Sequence, residues 1–156
     1  MNPILNELFL NDSLLKYWVI SAVVLFLKMS ANSVIQGFYR MKYQRFVNPE
    51  DAKAFGALIG KSVENYSEDH PMAVRAAGCW RNDLENIPMF LILGLGFVLM
   101  GGNTAWGLIY FSVFTVSRVF HTVCFMLALQ PWRNIAYDLG LITGLVMALH
   151  LLIMVF

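Results

Sequence analysis

Four apolar stretches, at roughly residues 14–39, 72–100, 104–129 and 134–156, govern what this chain can fold into. A bilayer-spanning helix needs about 20 mostly apolar residues, and each stretch supplies that length. The first is the least clean, because Lys28 and Asn32 interrupt it. Composition points the same way. The chain is 58% hydrophobic and 13% charged, whereas a soluble domain has roughly 45–50% apolar and 25% charged residues. The length suits a single membrane domain, residues 1–156, and a net charge of +1 provides no basic field for nucleic acid. The expected architecture is an all-α integral membrane protein, a four-transmembrane-helix bundle.

Gly101-Gly102-Asn103 is a short turn, so the second and third segments are antiparallel neighbours. Pro131 sets the next break. The first connection, about residues 40–71, is long and polar. It holds a helix start at Asn48-Pro49-Glu50-Asp51, with Asn48 as cap, Pro49 in the first helical position and two acids at the positive helix end. That loop carries Arg40, Lys42, Arg45, Lys53 and Lys61, and Arg133 follows on the same side. Cationic loops stay inside, so this side is expected to face the cytoplasm and both termini the other. Glu7, Asp12 and Lys16 do not make the positive start of a secretory signal, so the first segment is expected to remain in the protein. Cys79 and Cys124 both lie in apolar segments and read as core rather than as a disulfide framework. There is no zinc-ligand spacing, nucleophile elbow or phosphate-binding glycine loop, so no metal is expected.

Any chemistry is therefore expected from a bound small molecule activated by positive charge, and the polar residues within the spans are the candidates to bind it. RNDLENIPMF, residues 81–90, puts Arg81, Asp83 and Glu85 at the start of an apolar run. Facing lipid at mid-depth, these three would cost on the order of 8–10 kcal/mol, which the following apolar residues would barely offset. They are expected near the helix end or facing the bundle interior. At about 100° per residue, Arg75, Cys79, Asn82 and Asn86 share a face, and Arg81 and Glu85 are spaced to pair. The third span sets Arg118, His121, Thr122 and Phe125 on one stripe, and the fourth opens with Arg133 and Tyr137. Topology then brings Arg40, Arg75, Arg81, Arg118 and Arg133 to one level. Taken singly, Arg81–Glu85 reads equally well as a helix-end ion pair, and Arg118 and Arg133 as positive-inside anchors. The whole set favours a pocket. Several guanidiniums with Asn, Glu, His and Tyr suit a small ligand bearing carboxylates and an amine, since Arg clamps a carboxylate bidentately. His150 stands without a polar neighbour in sequence and reads as an interface residue. Asp138 needs a cation, either Arg118 or Lys28. Gly140 and Gly144 form a small-residue packing face.

Four stretches carry a resemblance: FVNPEDAKAFG (residues 46–56), RNDLENIPMF (81–90), SRVFHTV (117–123) and PWRNIAY (131–137). In this order and spacing the chain resembles the membrane-associated eicosanoid and glutathione metabolism family over nearly its whole length, nearest to the microsomal glutathione transferase branch. The resemblance implies a homotrimer that binds glutathione between subunits, near the cytoplasmic side. It implies catalytic roles for Arg133, which would stabilise the glutathione thiolate, and for Asp51, which would assist near the thiol. It implies glutathione contacts from Arg40, Arg75, Arg81, Asn82, Glu85, Arg118, His121, Asn134 and Tyr137. The implied function is attack of glutathione thiolate on lipophilic electrophiles, with reduction of lipid hydroperoxides beside it. A prostaglandin E synthase-type isomerase, favoured by Arg81, and a non-catalytic glutathione-binding membrane protein stand as alternatives. The membrane would be the inner membrane of a bacterium, or the endoplasmic reticulum or outer mitochondrial membrane of a eukaryote. The chain departs from the family pattern at Gly78-Cys79-Trp80, which replaces its usual Arg-Ala-His, at Phe125, which stands where tyrosine is common, at Pro88, which falls one residue earlier than the usual proline, and at Asn134, which replaces a small residue.

Overall fold

A computed structural model describes residues 12–58 and 68–156. Glu7, Lys61 and the centre of the expected cytoplasmic loop lie outside the described residues. All regular structure among the described residues is helical: α1 (Asp12–Tyr43), α2 (Pro49–Leu58), α3 (Pro71–Leu99), α4 (Thr104–Met126) and α5 (Trp132–Val155). Every one but α2 is long and apolar enough to cross a membrane, the shortest being the 23 residues of Thr104–Met126. At 1.5 Å per residue, that helix extends about 35 Å, past a hydrocarbon core of about 30 Å. Their outer surfaces are apolar, with Ile92 at 66% and Ile153 at 76% exposure. Such a surface suits lipid and not water.

The chain forms two compact units, one of residues up to Lys28 with Asp83–Phe156, the other of Met29–Asn82. In the first, the inward positions recur at helical three-and-four spacing. On α3 they are Asp83, Ile87, Phe90, Gly94 and Phe97. On α4 they are Gly107, Phe111, Phe114, Arg118 and His121, and on α5 Ala136, Gly140, Thr143 and Met147. Phe90 stacks on Phe114 with ring centroids 3.6 Å apart. Trp18 Nε1 donates to the Leu91 carbonyl at 3.0 Å, tying α1 to α3, and the Ser21 and Thr115 hydroxyls meet at 2.5 Å between α1 and α4. A Cβ on Gly94 would lie 2.7 Å from Phe111 and 3.0 Å from Trp18, so side chains of α4 and α1 both press on α3 at this glycine.

The turns are made locally. Gly101 adopts φ +70°, which glycine tolerates without strain. Asn103 then caps α4, its Oδ1 accepting from Ala105 N at 2.9 Å and Trp106 N at 3.3 Å. After α4, Ala128 turns through φ 58° before α5 begins.

In the second unit, Phe46 stacks on Phe55 across the turn into α2. Asn48 donates its side-chain Nδ2 to Asp51 at 3.1 Å instead of accepting from the helix start, so its role there is to hold Asp51. His70 stacks on Tyr39 and Tyr43 at centroid distances of 4.9 and 4.2 Å, and its Nδ1 accepts from Met72 N at the start of α3.

Candidate functional site

The end of α4 and the start of α5 build the most concentrated polar cluster of the first unit. Arg118, His121 and Phe125 follow at three- and four-residue intervals on α4, while Arg133 and Tyr137 are one turn apart on α5. The tight turn between the helices, closed by Leu129 N donating to the Cys124 carbonyl at 2.9 Å, brings the two sets face to face. The Arg118 guanidinium carbon lies 5.9 Å from the Tyr137 ring centroid, and His121 sits between the Phe125 and Tyr137 rings at 5.7 and 6.2 Å. Arg118 and His121 are buried, and Nδ1 of His121 has no hydrogen-bond partner among the described residues.

Arg133 is half-buried and lies with its guanidinium carbon 5.0 Å over the Phe125 ring. The Gln130 amide, assigned with its oxygen toward Arg133, accepts from Nε at 3.1 Å and Nη2 at 2.6 Å. A ring face below and an amide oxygen at one edge fix this cation near the helix end. Phe125 supports it through its π face and offers no hydroxyl. Asn134 is exposed beside it.

A buried charge network lies one step inward. Asp83 Oδ1 accepts from Arg118 Nη2 at 3.1 Å and from Lys28 Nζ. Asp83 and Arg118 are 0% and 1% exposed, and the Lys28 side chain 7%. Asp83 thus takes both cations that sequence reasoning had offered to Asp138, and Asp138 is exposed. The spacing held the signal: Lys28, Asp83 and Arg118 all fall on inward three-and-four stripes, whereas Asp138 falls off the stripe of Ala136 and Gly140. His150 also has a partner, since its Nδ1 lies 2.9 Å from the Tyr110 hydroxyl. Of the two small residues on α5, Gly140 packs against α4, while a Cβ on Gly144 would meet nothing within 4 Å.

Glu85 is exposed and, with Asn86, opens a groove of about 220 Å³ whose other walls include Phe114, Gly140 and Gly144. The first unit therefore brings Glu85, Arg118, His121, Arg133, Asn134 and Tyr137 onto three packed helices. Arg40, Asp51, Arg75, Arg81 and Asn82 belong to the second unit. There Arg40 donates from Nε and Nη2 to the Asp69 carboxylate, at 3.1 and 2.6 Å, a fork-to-carboxylate pair. Arg40 also lines a polar pocket with Ser33, Gln36 and Trp80. Arg75 and Asn82 are half-buried, and Arg81 is exposed. No group of three His, Cys, Asp or Glu side chains converges as a metal site among the described residues. The buried position of Asp83 agrees with the interior alternative read from the sequence, whereas its pairing with Lys28 and Arg118 and the support of Arg133 by Gln130 were missed.

Comparison with known proteins adds independent findings. Residues 18–153 match the MAPEG family. The chain is 34% identical over 149 residues to microsomal glutathione S-transferase 1 of Sus scrofa, covering 95% of this chain and 94% of the relative. It is 33% identical over 143 residues to prostaglandin E synthase of Bos taurus, covering 91% and 90%. It is also 32% identical to microsomal glutathione S-transferase 1 of Homo sapiens over 144 residues, with 92% of each chain covered.

Proposed function

The chain belongs to the MAPEG family, and from that premise we propose that it is a membrane-bound glutathione transferase that activates the glutathione thiol for attack on lipophilic electrophiles. The observation that carries the reading is Arg133, a half-buried guanidinium held by Gln130 and the Phe125 ring beside Arg118, His121 and Tyr137. A free thiol titrates near about 8.5, and only its thiolate is a good nucleophile. A fixed guanidinium stabilises the anion and draws that value toward neutrality. The thiol proton leaves to water, the thiolate sulfur bonds to the electrophilic carbon, and the leaving group departs with its electron pair. With a lipid hydroperoxide as substrate, two glutathiones would supply the electrons, giving the disulfide, the alcohol and water.

Arg118 and the exposed Arg81 would hold glutathione carboxylates and Glu85 its ammonium. Arg40, Arg75, Asn82, His121, Asn134 and Tyr137 would complete the contacts, with Asp51 near the thiol. Exposed Arg81, Glu85 and Asp138 lie within spanning helices, where contact with lipid costs about 2.5–3.5 kcal/mol for a central charge. Cover by neighbouring copies removes that cost, which supports the homotrimer. The loop cations support a cytoplasmic position for this end of the protein. Prostaglandin E synthase-type isomerisation is the second reading, favoured by the likeness to that relative at 33% identity.

The test is the ultraviolet absorbance of glutathione thiolate on the purified full chain at neutral pH. A thiolate signal that vanishes in Arg133→Leu supports the reading. Glutathione bound without thiolate means holding without activation, and no binding removes the function altogether.

A further inference from the structure

Asp83 is the only buried carboxylate among the described residues. We infer that Asp83 is a positioning residue: by fixing the Arg118 guanidinium beside Tyr137, it sets how firmly this protein grips glutathione. The inference rests on the glutathione reading above and adds to it a residue that would touch no substrate atom.

Three observations carry it. The first is orientation. The Arg118 fork donates to Asp83 Oδ1 at 3.1 Å with both side chains excluded from solvent. A planar guanidinium anchored at one edge presents its remaining donors in a fixed direction. Tyr137 borders it on α5, and Gly140 leaves room for its stem, since a Cβ there would lie 3.4 Å from Arg118 Cδ. The second is charge. Lys28 Nζ donates to the same Asp83 oxygen, so two cations share one carboxylate. The third is helix phase. Glu85 is two residues beyond Asp83, about 200° around the helix, and is exposed on the groove while Asp83 is buried. One turn of α3 thus anchors a cation inward and presents an anion outward, which couples the two proposed ends of the ligand grip to the rotation of a single helix.

A stability role alone explains this poorly. A buried ion pair is weak grounds for stability, because apolar residues of similar volume often serve as well. What apolar residues cannot do is aim a guanidinium.

The experiment uses the full chain in detergent, with reduced glutathione and 1-chloro-2,4-dinitrobenzene as probes. Asp83→Asn alone leaves two cations facing each other, so the working variant is Lys28→Met with Asp83→Asn, which removes one charge of each sign. It is expected to raise the KM for glutathione about tenfold, the worth of one charge-assisted hydrogen bond. The KM for the electrophile should stay within about twofold. Lys28→Met alone keeps the Asp83–Arg118 bond and should leave the glutathione KM near wild type. If the double variant does not assemble, Asp83→Glu keeps the charge and moves the carboxylate by one methylene. It should raise the glutathione KM in a variant that still assembles. Wild-type glutathione KM in the double variant, or in Asp83→Glu where that replaces it, overturns the positioning role and leaves the proposed function standing. A KM that rises as much in Lys28→Met alone overturns it too, because net charge and not aim would then govern binding. A wild-type chain that binds no glutathione overturns both.

Discussion

The two ends of the α4–α5 pair contain a histidine each and differ in almost everything around it. At one end His150 lies with the Tyr110 hydroxyl 2.9 Å from its Nδ1, enclosed by Phe97 and Trp106 at centroid distances of 5.2 and 6.0 Å. At the other, His121 has Arg118 three residues before it and Arg133 across the turn, and no hydrogen-bond partner at Nδ1. The first end is neutral and aromatic. Its polar atoms satisfy each other inside a ring cluster that suits the interfacial belt of a membrane protein. The second end gathers cations and leaves a buried polar atom unsatisfied, at a cost of about 1–3 kcal/mol in an apolar setting. The same two helices thus carry a self-contained end and an end whose polar groups suit a ligand.

The largest break in that contrast is expected from Asp83→Asn. It strands Lys28 and Arg118 against each other in a buried site, and losing one partner of such a pair costs about 3–5 kcal/mol. Chemical denaturation in detergent should show that loss, and a midpoint equal to wild type would mean that water or another group already compensates the cations. Arg133→Leu comes next and acts on activity. Removing a donor that stabilises a developing or resident anion lowers kcat by about 10²–10³. Steady-state conjugation kinetics checks this, while helix content by circular dichroism should not move. Phe125→Tyr sharpens the comparison from the opposite side. It adds a hydroxyl to the ring beneath Arg133, whose guanidinium carbon lies 5.0 Å away. The added hydroxyl should raise the bound-thiolate fraction severalfold at neutral pH, about 1 kcal/mol of hydrogen bonding. An unchanged thiolate absorbance would mean that the ring edge points away from the sulfur.

Much of this was readable in advance, for reasons that are themselves physical. Spanning helices declare themselves by length and apolarity, and Arg118 with His121, and Arg133 with Tyr137, were grouped by helical spacing alone. The pairing between helices was not readable that way. Asp138 was assigned a cation because a charge in a span needs one, yet Lys28 and Arg118 both meet Asp83. Spacing along one helix gives the rotation of its own side chains only, and which carboxylate a cation meets depends on how helices lie against each other. The inward stripes narrow that choice. Asp83 sits in phase with Ile87, Phe90 and Phe97, and Asp138 is out of phase with Ala136, Gly140, Thr143 and Met147. The role of Gln130 was hidden for another reason. A turn residue is placed by backbone geometry, here beyond Ala128 at φ 58°, and no periodicity reports it.

The smallest expected effect comes from the self-contained end, and it tests the comparison most directly. Tyr110→Phe removes the hydroxyl that meets His150 and keeps the ring that packs on Phe97 and Trp106. The loss should be about 1 kcal/mol of stability, the net worth of one hydrogen bond, because the imidazole is half-buried and can partly recover through water. Glutathione KM and kcat should both stay at wild-type values, since no residue of this cluster belongs to the proposed site. A change in either constant would mean that the two ends are coupled along α4. Tyr110 lies in register with Phe114, Ser117 and His121 on that helix, so a small rotation of α4 would move His121 and Arg118 together. Unchanged kinetics with a measurable stability loss would mean that the aromatic end serves as a fixed support on which the cationic end is built.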